Sequence, residues 1–143
     1  MLKSETQFKR KFNKYPKYKI KKTKTGTGFG YFADENIEKG IRLVQYVGEK
    51  VTNKWADENP NEYIFWIDKK YSLNGEPSWN VARYVNYSHD PNAESVDEDG
   101  KIYFETIKDV KKGEEITIDY GKWHFNEFIK PHGCKCDVCL LKK

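Results

Sequence analysis

The chain alternates short apolar runs with dense polar breaks, and almost nowhere does it keep the spacing of an amphipathic helix. Residues 18–23 alternate as a short edge strand, preceded by lysines interleaved with Phe8, Phe12 and Tyr15. Residues 25–30 hold three glycines in six positions and lead into Tyr31, Phe32 and Ala33, a glycine-rich bend entering a strand. Residues 34–40 read as a turn, 41–47 as a core strand ended by Gly48, and Thr52 as the cap of a short helix or loop. Residues 63–67 form a second apolar strand, 68–70 turn the chain into 71–73, and 75–77 break it again. One helical turn is expected over 79–85. Residues 93–96 and 102–107 flank Glu98, Asp99 and Gly100, a hairpin signal. The pattern predicts a mainly β, single-domain chain with few short helices.

A length of 143 residues leaves room for one domain with a modest core. The 15% aromatic content belongs to a folded chain rather than a disordered one. No apolar run reaches membrane-spanning length and the first residues lack a secretory hydrophobic segment, so a soluble intracellular protein with no membrane contact is expected, in cytoplasm or nucleus. No symmetric apolar stripe announces a dimer; a monomer is expected. The net charge of +4 hides an asymmetry: residues 1–24 carry ten Lys or Arg and one Glu, net +9, which leaves −5 on the remainder. An acidic body steers a basic substrate, and a basic arm is suited to contact nucleic acid or another acidic partner.

Two stretches concentrate the polar chemistry: RYVNYSHDPN at 83–92 and GEEITIDYG at 113–121. In the first, Asn86, Ser88, His89, Asp90 and Asn92 crowd around Pro91, which biases Asp90 away from helix and shapes a loop. In the second, Ile116 and Ile118 face a core and Tyr120 arrives at the strand end. Glu114 and Glu115 adjoin but have no spaced partner, so they read as a solvated turn rather than as a hydrolase metal site. The glycines of 25–30 fit neither a phosphate loop nor a dinucleotide fingerprint. Cys134, Cys136 and Cys139 lie within six residues, three soft ligands suited to tetrahedral zinc but lacking a fourth.

The two stretches resemble the signature segments of the SET-domain protein lysine methyltransferases, which read roughly RFxNHSCxPN and GEELTxDYG. TGTGFGYFADENIEKG at 25–40 resembles that family's N-terminal segment, and CKCDVC at 134–139 its post-SET tail. The resemblance implies small curved sheets with a C-terminal pseudoknot, divided as a basic arm (1–17), a SET domain (18–122) and a zinc-binding tail (123–143). It implies methyl transfer from S-adenosylmethionine, leaving S-adenosylhomocysteine, to a lysine of a protein or peptide such as a histone or other basic protein. Tyr120 takes the position of the catalytic tyrosine. Gly28, Phe29, Gly30, Arg83, Asn86 and Tyr87 fall on cofactor-binding positions, with Trp123 and Phe125 as stacking candidates for adenine. Arg83 either braces its loop or meets a carboxylate. Tyr46 and Tyr63 are channel candidates or plain core tyrosines, and Ile118 sits where the degree of methylation is tuned. His89 stands where the family places a cysteine, which implies one structural zinc held by His89, Cys134, Cys136 and Cys139; the alternative is a His89 that hydrogen-bonds within its loop, with His132 or no protein group as the fourth ligand. Two other readings stay open: a zinc-containing nucleic-acid-binding module, favoured by the basic arm, and a SET-like interaction scaffold without activity.

Overall fold

A computed structural model describes residues 15–24 and 28–120. Its strands are β1 (Tyr18–Lys22), β2 (Phe29–Ala33), β3 (Arg42–Tyr46), β4 (Glu49–Thr52), β5 (Ile64–Trp66), β6 (Tyr71–Asn74), β7 (Asn86–Tyr87), β8 (Ala93–Glu98), β9 (Lys101–Thr106) and β10 (Glu115–Ile118). One short helix, α1 (Asn53–Glu58), and a 3₁₀ turn (Val81–Tyr84) complete the described elements. The mainly β expectation therefore holds, and the helical turn expected over 79–85 is the 3₁₀ turn.

The strands form where apolar residues alternate with polar ones. In β9, Ile102, Phe104 and Thr106 are buried while Lys101 is exposed; in β10, Ile116 and Ile118 point inward between Glu115 and Thr117. Full burial of a side chain such as Phe104 or Ile116 contributes about 1.5–3 kcal/mol relative to leaving it in water. The hairpin between β8 and β9 turns at Asp99 and Gly100, with φ of 55° and 79°. Positive φ at both central residues is the type I′ geometry that matches strand twist.

Three small sheets share the core, ordered β1-β2-β10-β7, β3-β9-β8 and β4-β6-β5. The decisive placement is β10. It runs antiparallel to β2, pairing Ile116 with Tyr31, and parallel to β7, pairing Thr117 with Asn86 and Ile118 with Tyr87. A late strand thus lies between an early one and one from the middle, and Tyr120 follows it two residues on, against Val85 just before β7.

Polar residues lock the layers. The Asn80 side chain, fully buried, donates to the Gly75 carbonyl (3.0 Å) and accepts from the Val47 amide (3.1 Å). Those contacts clip the β3–β4 corner to the turn after β6. Arg42, inside what reads as an apolar strand, is buried: its guanidinium lies over the Tyr103 ring and pairs with Glu98 and Glu105. Burying a cation costs solvation unless paired, and two carboxylates on the adjacent hairpin supply the pairing. Thr52 caps α1 by accepting from the Trp55 amide (3.0 Å), which settles helix over loop there. Only Ala56 of α1 is buried, so the helix is peripheral.

Candidate active site

Tyr120 leaves the end of β10 partly buried against the core, and its hydroxyl donates to the backbone carbonyl of Val85. Its ring meets Phe65 edge-on, with centroids 6.2 Å apart. Phe65 in turn lies 5.0 Å from Tyr46 and 6.1 Å from Phe104. The Tyr46 hydroxyl donates to the Tyr63 carbonyl (2.6 Å), and the Arg83 guanidinium covers the Tyr63 ring at 4.2 Å. Tyr46, Phe65 and Tyr120 therefore form one connected aromatic group, and Tyr63 is tied to it through its backbone carbonyl. Burial pushes the Tyr120 hydroxyl well above the ordinary phenol range, reinforced by Tyr46, Tyr63 and Glu62. Tyr46 is raised by burial in the same way, and Tyr63 is pushed up to about 12 by burial and then by a hydrogen bond to Glu62. At neutral pH these phenols keep their protons and act as donors.

A group of this composition suits an alkyl amine. Aromatic faces attract the charged form and tolerate the neutral one while displacing water, and the hydroxyls give directional polar contacts.

On the other side of the same chain segment lies a second polar cluster. The Asn86 side-chain nitrogen donates to the Phe29 carbonyl (3.0 Å) and to Glu115 Oε2 (2.8 Å). Gly30 answers that carboxylate: a Cβ there would lie 2.6 Å from Glu115 Oε2, too close for any other residue without displacement. Gly28 precedes with φ of 82°. The exposed Phe29 ring meets Tyr84 edge-on at 6.4 Å. Tyr87 meets His89 edge-on at 4.9 Å, and His89 is exposed on the loop after β7. Asn92 pins this loop to β10, donating to the Glu115 carbonyl (2.8 Å) and accepting from the Thr117 amide (2.9 Å).

Of the two roles open to Arg83 from sequence, bracing is what the described residues display: it covers Tyr63, approaches Tyr84, and its Nε is buried without a hydrogen-bond partner among them. Ile118 is fully buried in the core, in register with Tyr87. Trp123, Phe125, Cys134, Cys136 and Cys139 lie outside the described residues. Among the described residues no group of three or more His, Cys, Asp or Glu is arranged to hold a metal.

Three participants escaped the sequence reading. Phe65, rather than a residue of the signature segments, is the ring against Tyr120; its alternation with Tyr63 and Ile67 carried the signal. The Val85 carbonyl has no side-chain signature at all. Glu115 was expected in a solvated turn with Glu114; Glu114 is exposed, but Glu115 is half-buried in β10 and bonded to Asn86. Its place in period two with Ile116 and Ile118 was the available clue.

A family model described as the SET domain matches residues 28–121. Among curated proteins, the chain is 30% identical over 122 residues to histone-lysine N-methyltransferase ASHH3 of Arabidopsis thaliana, covering 76% of this chain and 33% of that protein. It is also 30% identical over 128 residues to human histone-lysine N-methyltransferase 2D, covering 81% of this chain and 2% of that protein. The chain thus spans about a third or less of the length of these relatives. Among solved structures, an active polycomb repressive complex 2 in the stimulated state is similar with a TM-score of 0.70 and 25% identity, over 76% of this chain and 15% of that one. An autoinhibited ctPRC2 bound to S-adenosylmethionine gives 0.66 and 26%, over 75% and 15%. The likeness covers both polar clusters and the strand between them, the SET model alone spans well over half of the 143 residues, and the chain belongs to the SET-domain family.

Proposed function

We propose that the chain transfers a methyl group from S-adenosylmethionine to the side-chain amine of a lysine in a protein or peptide, histones and other basic proteins being the substrate class. One observation carries this reading. The two-residue strand β7 and the residue before it join both polar clusters: the Val85 carbonyl receives the Tyr120 hydroxyl, and the next side chain, Asn86, reaches Phe29 and Glu115. A lysine pocket and a cofactor site that share one short backbone segment are suited to bring amine and methyl group into line, where orientation supplies much of the rate.

The residues present fit the ammonium of the cofactor's amino-acid end: the Phe29 carbonyl, Asn86 and Glu115 gather acceptor chemistry there. When bound, S-adenosylmethionine supplies a methyl group activated by a sulfonium. Gly30 keeps the backbone clear beside Glu115, and Tyr63 and Phe65 guide the lysine side chain and exclude water, with Tyr46, 1% exposed, bracing them from the core. Tyr120, holding its proton, orients the amine, which must be neutral to attack; an ordinary lysine has a pKa of about 10.4. Tyr87 and Arg83 flank the cofactor side, and Trp123 and Phe125 of the tail are the candidates to cover adenine.

The same reading divides the chain into a basic arm (1–17) available to nucleic acid, the SET domain (18–122) and a tail (123–143). One structural zinc, held by Cys134, Cys136, Cys139 and His89, would fold that tail against the signature loop. The exposure of His89 on the loop after β7 supports it. Measured metal content should be one zinc per wild-type chain and fall well below that in Cys136→Ser and His89→Ala; full occupancy in His89→Ala would remove His89 from the ligand set.

The reading is tested by incubating the protein with methyl-labelled S-adenosylmethionine and a panel of basic proteins, then locating the label by mass spectrometry. Label on lysine is expected. Cofactor binding without transfer to any member of the panel would point instead to an inactive scaffold.

A further inference from the structure

We propose that Glu115 is the positioning residue that fixes which end of the Asn86 amide faces the cofactor; the inference rests on the proposed function. A primary amide offers two donors at nitrogen and an acceptor at oxygen, and nothing in its shape selects between two orientations related by a flip. At Asn86 the surroundings select. The nitrogen lies 3.0 Å from the Phe29 carbonyl and 2.8 Å from Glu115 Oε2, and both of these accept but never donate. A flipped amide would set its oxygen against a carbonyl and a carboxylate, so the nitrogen is held toward β2 and β10 and the oxygen is turned the other way. An outward oxygen suits the ammonium of an amino acid, whereas an outward NH₂ would repel it.

Glu115 is built for this task by its neighbours. Its strand position opposite Phe32 is fixed by the pairing of β10 with β2, and its backbone carbonyl is held by Asn92. Gly30 leaves the space the carboxylate occupies, since a Cβ at 30 would stand 2.6 Å from Oε2 and only 2.9 Å from the Thr23 methyl. The glycine thereby acquires a second reason besides close approach of the backbone to a ligand: it makes room for the group that orients Asn86.

The test compares two nucleosides by calorimetry. S-adenosylhomocysteine carries the amino-acid end; 5′-methylthioadenosine lacks it. Glu115→Ala should weaken S-adenosylhomocysteine by about tenfold, the loss expected when a charge-assisted hydrogen bond no longer orients a contact, and leave 5′-methylthioadenosine unchanged. Glu115→Gln, whose oxygen still accepts, should recover most of that loss. In an Asn86→Ala background Glu115→Ala should cost nothing further, because Glu115 acts through that amide. Equal weakening of both nucleosides, a Gln variant as weak as the Ala variant, or an undiminished Glu115 effect without Asn86 would each overturn the inference. A wild-type protein that binds neither nucleoside would overturn the proposed function itself, and this inference with it.

Discussion

The Tyr120 hydroxyl keeps its proton at and well above neutral pH because its ring is packed against Phe65 and its surroundings are apolar and phenolic. A neutral phenol donates; it does not serve as a resident base. In the proposed reaction the proton that must leave is the one on the substrate ammonium. Initial rates at saturating cofactor should therefore climb steadily from about pH 7 towards pH 10 as the lysine amine, with its ordinary pKa of about 10.4, deprotonates. No falling limb from Tyr120 should appear in that range. A profile that peaks near pH 8 and declines would show that a phenol or another group in the pocket ionises there, contrary to the burial that raises Tyr120. At this scale the sequence was most informative where a side chain falls in a family motif: Tyr120, Asn86 and Gly30 were singled out by resemblance. Phe65 and Glu115 were not, because their roles arise from pairing across sheets, and the Val85 carbonyl has no residue-type signal to read.

Short elements set these residues in place, and single side chains hold the elements. Asn80 does so by joining the Val47 amide to the Gly75 carbonyl while itself fully buried. Replacing Asn80 by Ala leaves two backbone groups without their partner, a loss of about 2–3 kcal/mol. Urea unfolding monitored by tryptophan fluorescence should register that fall; a change below about 0.5 kcal/mol, ordinary for a surface substitution, would contradict the clip. Alternation made β1 and β10 legible, the glycine-rich bend announced β2, and the Asp99–Gly100 turn residues announced the β8–β9 hairpin. β7 was not legible, since a strand of two residues has no period and exists only because β10 lies alongside. The buried Arg42 shows the converse: a cation inside an apolar run is compatible with a strand when Glu98 and Glu105 come from a neighbouring hairpin.

Over the whole molecule, the threading of β10 between β2 and β7 brings the aromatic group around Tyr120 and the polar cluster around Asn86 to one place. Periodicity reports faces and ends, not the order of strands in a sheet, so that topology came from family resemblance and not from the pattern. The same compactness buries several phenols. Tyr31 and Tyr46 are raised by burial, as is Tyr63, up to about 12, each from an ordinary value of 10.0. A raised folded-state value means the stabilisation is fully present below the unfolded value and is lost as pH climbs through the folded one. Thermal melts should be nearly flat up to about pH 9.5 and then fall between roughly pH 10 and 12; melting temperatures that rise across that window would contradict the assigned burial.

The proposed function divides labour across β7, with the cofactor on the Asn86 side and the amine on the Tyr120 side. It is tested most directly by measuring S-adenosylmethionine affinity and methyl transfer side by side in the wild type and in Tyr120→Phe. The variant should keep cofactor affinity to within about twofold while turnover falls roughly 100-fold, as when one oriented hydroxyl is removed from a reacting centre. A folded Tyr120→Phe protein that transfers methyl groups at the wild-type rate, or that loses cofactor binding together with turnover, would contradict it.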